Sequence, residues 1–110
     1  MKFLLILLLF WLTACQPGGS AGKIGIEVPL GDTRVTSQNP YVVVGVYENS
    51  PAYRAGVRPD DVILQVNGRP LRGMLYDEVF YNHLQGKRGE PLTLVIERNG
   101  ENYVFQIVRE

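Results

Sequence analysis

The stretch Asn49-Ser50-Pro51-Ala52-Tyr53-Arg54-Ala55-Gly56-Val57-Arg58-Pro59-Asp60-Asp61-Val62-Ile63-Leu64-Gln65-Val66-Asn67-Gly68 decides how this chain folds. Ser50 is a helix N-cap residue type, and Pro51 after it has the fixed φ that suits a first helical turn. Gly56 supplies the left-handed stop, so the helix between them is very short. Asp61 to Val66 then alternates Val62, Leu64 and Val66 against Ile63 and Gln65, as a half-buried strand does. Asn67-Gly68 closes it with a tight turn.

The same signals organise the flanks. Ile24 to Leu30 reads as a strand with Ile24, Ile26, Val28 and Leu30 on one face. Residues 31–40 carry Gly31, Asp32, Ser37, Asn39 and Pro40, a loop or loose hairpin. Tyr41 to Tyr47 is apolar on both faces, which predicts a central strand. Residues 74–85 hold apolar side chains at three- and four-residue spacing, a second helix that Gly86 ends. Leu92 to Glu97 and Tyr103 to Val108 form a last hairpin around Asn99-Gly100. The expected fold class is α+β, mostly β: over residues 23–110, a small, partly open antiparallel barrel or sandwich of five to six strands capped by two helices.

The chain has 110 residues, enough for one small domain. Its 11 basic and 11 acidic side chains are balanced and dispersed, which argues against a nucleic-acid partner. Cys15 is the only cysteine and His83 the only histidine, too few ligands for a metal site, and no cofactor motif is legible. Gly22-Lys23 fails as a phosphate loop, because Pro17 stands where the first glycine belongs and Ile24 where Ser or Thr belongs. Ser50 has no histidine on its own element and reads as a cap rather than a nucleophile. The carboxylate pairs Asp60-Asp61 and Asp77-Glu78 suit a turn and a helix start.

At the other end, Met1-Lys2 and the apolar run Phe3 to Leu12 have the layout of a secretory signal too short to span a bilayer comfortably. Residues 1–14 are expected to be that signal, and Gln16 to Gly22, poor in groups worth burying, a flexible tether. Leu12-Thr13-Ala14-Cys15 resembles the lipobox of bacterial lipoproteins. That resemblance implies that Cys15 carries a thioether-linked diacylglycerol, so that residues 15–22 are an acylated cysteine and its tether. An intermolecular disulfide at Cys15 stays open as the other reading. By resemblance to enteric lipoproteins, Gln16 after the cysteine favours the outer membrane, facing the periplasm.

The block from Asn49 to Gly68 resembles the signature of PDZ domains, particularly those of bacterial envelope proteases. The family pattern is Ser-Pro-Ala, two variable residues, Ala-Gly, a short turn, Gly-Asp, a hydrophobic strand and Asn-Gly or Asp-Gly. With Ile24-Gly25-Ile26 upstream and the helix, glycine and strand pair downstream, the resemblance covers residues 23 to 109. One position departs, Asp60 standing where the family usually has glycine; Asp tolerates left-handed backbone angles better than most residues.

The resemblance implies peptide binding by β-strand addition. Ile24-Gly25-Ile26 matches the family's carboxylate-binding loop, with Ile24 and Ile26 beside the ligand's last side chain. Lys23 adds either a charge for the carboxylate or a solvated strand start. Val28 shares an edge with Ile26, two residues on. The other wall is the helix at 74–85, where the preferred stripe is Tyr76, Phe80 and His83 over the alternative Asp77, Tyr81 and Leu84. His83 also reads as a surface residue at the helix C-terminal dipole. No histidine opens this helix, which disfavours the family class that selects Ser or Thr two residues before the ligand's end.

The function expected is a membrane-anchored, non-enzymatic module that takes up carboxy-terminal or extended segments of envelope proteins. A scaffold or accessory subunit of an envelope protease or secretion complex, docking outside the groove, is the alternative. An enzyme is the weakest reading, since no protease domain fits in this length.

Overall fold

Asn67 and Gly68 have φ of 52° and 81°, and Asn99 and Gly100 have 54° and 81°. Paired left-handed residues of this kind match the twist of two flanking antiparallel strands, so each Asn-Gly turns a hairpin. The computed structural model describes residues 21–110. The expected signal, Cys15 and the first part of the tether lie outside the described residues.

The described chain runs β1 (Ala21–Gly22), β2 (Ile26–Glu27), β3 (Gly45–Val46), α1 (Pro51–Ala55), β4 (Val62–Val66), β5 (Arg69–Pro70), α2 (Tyr76–Val79, continued by a wide π turn over Phe80–Leu84), β6 (Gly86–Lys87), β7 (Pro91–Arg98) and β8 (Glu101–Val108). The main sheet is antiparallel in the order β5-β4-β7-β8, and two short pairs, β1 with β6 and β2 with β3, complete the open structure. This is the mostly-β architecture with two short helices that the sequence predicts.

Strand β7 is the spine. It pairs with β8 from Pro91↔Val108 to Arg98↔Glu101, and Leu92, Leu94 and Ile96 point to one face and are fully buried. Tyr41, Val43, Leu71 and Val79 meet them from the other elements. β4 departs from the expected alternation. Its register on β7 shifts between Ile63 and Gln65, and the buried residues are Ile63 and Val66, not Val62, Leu64 and Val66 as one set. A bulge inserts one unpaired residue, and every side chain beyond it changes face.

Two further expectations are corrected, and one loop gains an anchor. The strand expected over Ile24 to Leu30 pairs only at Ile26–Glu27, and Leu30 is exposed. Tyr41 to Tyr47 does lie between two neighbours: Ile63 N–H donates to Tyr41 O and Val43 N–H to Asp61 O on one side, Val44 N–H to Glu27 O and Tyr47 N–H to Gly25 O on the other. Only Tyr41 and Val43 are buried, however, while Val44 and Tyr47 face outward. An apolar run on both faces thus marks hydrogen-bonded position here, not two-sided burial. Residues 31–40 are the expected loop, with Thr36 and Asn39 exchanging backbone bonds, but it is anchored rather than loose. Tyr76 N–H donates to Thr33 O, Asp77 N–H to Gly31 O and Val35 N–H to Met74 O, which fastens the loop to the start of α2.

The short helix is built as its residues dictate. Ser50 Oγ accepts from Tyr53 N–H at 3.2 Å, and Gly56, at φ 105°, donates to Ala52 O and Tyr53 O. Asp60 holds φ 77° in the turn that follows, a left-handed angle that Asp tolerates better than most residues.

Below that turn, Asp61 is 1% exposed. Arg98 meets it in a two-pronged pair, Nε to Oδ1 and Nη2 to Oδ2, both at 2.8 Å, and Arg58 N–H adds a third bond at 2.9 Å. The same Nη2 donates to Gly56 O at 2.9 Å, tying the end of α1 to the end of β7. Burial by itself raises the Asp61 carboxyl, but the Arg98 and Arg58 hydrogen bonds and the charge of Arg98 outweigh it and hold the group below its ordinary value. A depressed carboxylate stabilises the fold above its unfolded pKa of about 3.8, and that contribution disappears as pH falls through the folded value. Acid titration of unfolding should therefore show stability falling below that pH, and an Asp61→Asn protein should lose part of the acid-dependent step while being less stable at neutral pH. An unchanged acid limb in that variant overturns the assignment.

Candidate functional site

Gly25 adopts φ 86°, a left-handed angle that a residue with a side chain rarely takes. A Cβ placed on it would also overlap the Cβ of Ser50. The glycine lets residues 22–26 bend tightly over the start of α1. Ala52 N–H donates to Ile24 O at 2.9 Å and Tyr47 N–H to Gly25 O at 2.9 Å, while Lys23 and Glu110 exchange a pair of backbone bonds. The loop's carbonyls are thereby used inward. Among the described residues, the Ile24 and Gly25 N–H groups donate to no protein acceptor. Two successive free N–H groups at a left-handed glycine make an anion-binding concavity.

Beside this loop is a cleft of about 250 Å³ lined by Gly22, Lys23, Ile24, Gly25, Ile26, Tyr47, Phe80, Leu84 and Gln85. Its walls are β2 and the second half of the α2 segment. On β2, the Gly25 and Glu27 carbonyls accept from Tyr47 and Val44 of the neighbouring segment. Because backbone groups alternate in direction along a strand, the N–H and C=O of Ile26 lie on the opposite edge, toward the cleft.

The helical wall differs from the expected stripe. Tyr76 does not line the cleft; its ring packs edge-on against Tyr41 at 5.7 Å, and its hydroxyl donates to Asn39 O and Pro40 O. His83 lies in a separate depression with Val66, Asn82 and Arg109. Phe80 and Leu84 are the two helical side chains at the cleft. Phe80 and Leu84, four residues apart, share a face in any helix, while the wide turn, in which Gln85 N–H donates to Phe80 O five residues back, rotates His83 off that face. The expected residues Lys23, Ile24, Gly25, Ile26 and Phe80 are thus brought together, whereas Tyr76 and His83 are turned to other surfaces. Val28 packs half-buried against the core beyond the cleft's lining.

Arg109 is a residue that sequence reading passes over. It is 4% exposed, and its guanidinium donates to Leu84 O at 3.0 Å and His83 O at 3.2 Å. Those are the last carbonyls of the groove helix, which would otherwise lack partners. A Cβ on Gly86 would collide with this guanidinium, so the glycine after the helix also makes room for the clamp. The available signal was phase: Ile107 is buried, and Arg109 lies two residues further along the same strand direction.

Two phenols, one in the core and one at the cleft rim, have raised pKa values. Burial, helped by the nearby Asp77 and Tyr76, pushes the Tyr41 hydroxyl far up, and among the described residues it has no hydrogen-bond partner. Tyr47 is 58% exposed at the cleft rim, and its hydroxyl donates to Glu27 Oε2 at 3.1 Å; that bond and the carboxylate's charge raise its pKa. Among the described residues no cluster of three His, Cys, Asp or Glu is placed to hold a metal ion. What the cleft offers chemically is an apolar pocket, two free N–H donors and an open strand edge.

The model of the PDZ domain family matches residues 42–98. A probable CtpA-like serine protease of Staphylococcus aureus is 36% identical over 89 residues, 81% of this chain and 18% of that protein. The chain therefore spans less than a fifth of the length of the curated relatives it matches. Among solved structures, the photosystem II D1 C-terminal processing protease superposes with a TM-score of 0.70 at 27% identity, over 84% of this chain and 24% of that one. The HtrA3 PDZ domain bound to a phage-derived ligand superposes with a TM-score of 0.57 at 30% identity, over 81% of this chain and 85% of that one. With a family model covering more than half of its residues and a fold that builds the matching cleft, the chain belongs to the PDZ domain family, of the kind found in CtpA- and HtrA-type proteases.

Proposed function

We propose that this chain is a peptide-binding module that takes up the carboxy-terminal segment of a partner protein by strand addition to β2. The observation that carries the reading is the cleft itself: an apolar space of about 250 Å³ with the Ile24 and Gly25 N–H groups at one end and the Ile26 edge along its side. The terminal carboxylate would accept from the two free N–H groups, with Lys23 nearby as a solvated positive charge. The last side chain would enter between Ile24, Ile26, Phe80 and Leu84, and the backbone behind it would pair with Ile26 and then Val28. Tyr76, packed on Tyr41, leaves the groove unfilled, which supports this reading over a scaffold that docks elsewhere.

These residues contribute binding in the proposal, not catalysis. The module would deliver extended or carboxy-terminal segments of envelope proteins to an envelope protease or secretion complex, and the names of the relatives are what motivates that partner. The Leu12-Thr13-Ala14-Cys15 sequence supports a lipid at Cys15, which would hold the module on the periplasmic side of the envelope, in the outer membrane by the Gln16 rule. Two or more acyl chains anchor durably where a single chain binds reversibly. Tethering would then raise the effective concentration toward neighbours on the same membrane.

Titration with fluorescent carboxy-terminal peptides tests the cleft. Gly25→Val should lower affinity by at least about tenfold, since the strain and the overlap with Ser50 both disrupt the loop; retained affinity in a folded variant removes the loop from the site. Phe80→Ala should weaken peptides ending in a large apolar residue by about tenfold, through lost contact area on the order of 1–2 kcal/mol. His83→Ala, on the other surface, should leave them unaffected. For the anchor, detergent partitioning of a Cys15→Ala protein should move from the detergent to the aqueous phase or accumulate the uncleaved chain, and unchanged partitioning contradicts lipidation.

A further inference from the structure

The ribbon made by β2 and β3 has two faces, and the second one is unusually bare beside the cleft. Ile26 and Val46 face the core side, so Glu27 and its partner Gly45 belong to the outer face, together with Gly25 and Tyr47 by alternation. Two of these four residues have no side chain. Glu27 and Tyr47 therefore stand over an open floor, both exposed.

The carboxylate is held in place rather than left free. Tyr47 Oη donates to Oε2 at 3.1 Å, and Oε1 lies so close over Gly45 that a Cβ there would come within 2.8 Å of it. Gly45 has an ordinary negative φ, so space for this carboxylate, not backbone angle, is what a glycine supplies at that position. Among the described residues Glu27 forms no ion pair. An aromatic face and an unneutralised carboxylate are thus positioned side by side at the rim, since Tyr47 also lines the cleft.

We propose that Glu27 and Tyr47 form a specificity subsite for the penultimate side chain of the bound segment, and that it selects arginine or lysine there. The inference rests on the strand-addition reading above. An added strand places its last residue opposite Ile26, with that side chain on the core side; the residue before it then lies opposite Glu27 and points to the same outer face. A basic side chain in that position lays its aliphatic stem over the bare glycine floor, its cation near the Tyr47 ring and its N–H donors on the Glu27 carboxylate. An acidic side chain meets like charge.

The test uses the full 110-residue chain and three peptides of equal length ending in valine, with Arg, Gln or Glu in the penultimate position, measured by fluorescence anisotropy. At low salt the Arg peptide should bind about fivefold tighter than the Glu peptide, and the ratio should shrink as salt screens the exposed pair. Glu27→Gln should bring the ratio close to one, and Glu27→Lys should invert it, a result that no loss of fold produces. Equal binding of the three peptides overturns the subsite while leaving the cleft intact. Binding of none of them overturns the strand-addition reading itself.

Discussion

The closeness of Gly25 to Ser50 is the constraint on which the site depends. Ser50 must occupy that spot because its side chain caps α1, and α1 must start there because Ala52 N–H reaches Ile24 O. The loop can meet these demands only with a residue that accepts φ 86° and has no Cβ. Once it is bent in this way, its carbonyls are used by α1 and by Tyr47, and among the described residues the Ile24 and Gly25 N–H groups are left without a protein acceptor. The same contact that fastens the loop to the fold thus creates its unused donors.

Charge does the fastening elsewhere. Arg109 reaches from the end of β8 to the last carbonyls of the groove helix, and Arg98 reaches from the end of β7 to Asp61 and Gly56. Each guanidinium joins a helix end to a sheet end, where a small domain has too little apolar area to fix the geometry by burial alone. Arg98 also lies over the Tyr103 and Phe105 rings, at 4.9 Å and 5.7 Å from their centroids, so its hydrophobic plane is covered while its edge is bonded. Of the two, Arg109 acts on a wall of the cleft, through the Leu84 carbonyl.

The legible part of this fold was the part governed by local chemistry. Ser50, Pro51 and Gly56 bracket the helix through a side-chain cap, a preset φ and a left-handed stop, and the two Asn-Gly turns need left-handed angles that few other dipeptides adopt. Ile24-Gly25-Ile26 was readable as a loop only through the family resemblance, since its alternation by itself predicts a strand. The phase of β4 was not, because a bulge after Ile63 depends on how the strand meets β7 and leaves no residue-type signature. Nor was the groove stripe. Tyr76, Phe80 and His83 share a face of a regular helix, and a wide π turn, held at its end by a guanidinium from a distant strand, rotates His83 off that face while Leu84 stays beside Phe80.

What the amino-acid order determined by itself was therefore the two helices, the long strands and their caps and turns, since each follows from the preferences of neighbouring residues, whereas the short pairs β1 with β6 and β4 with β5, the first made partly from the expected tether, were not legible. The tertiary structure alone decided which side chains face the cleft, where Arg109 and Tyr76 go, and that Glu27 lies against Gly45. Those outcomes turn on contacts between residues far apart in the chain, such as Arg109 with Leu84 and Ser50 with Gly25, where shape and unpaired backbone groups, not local propensity, set the energy.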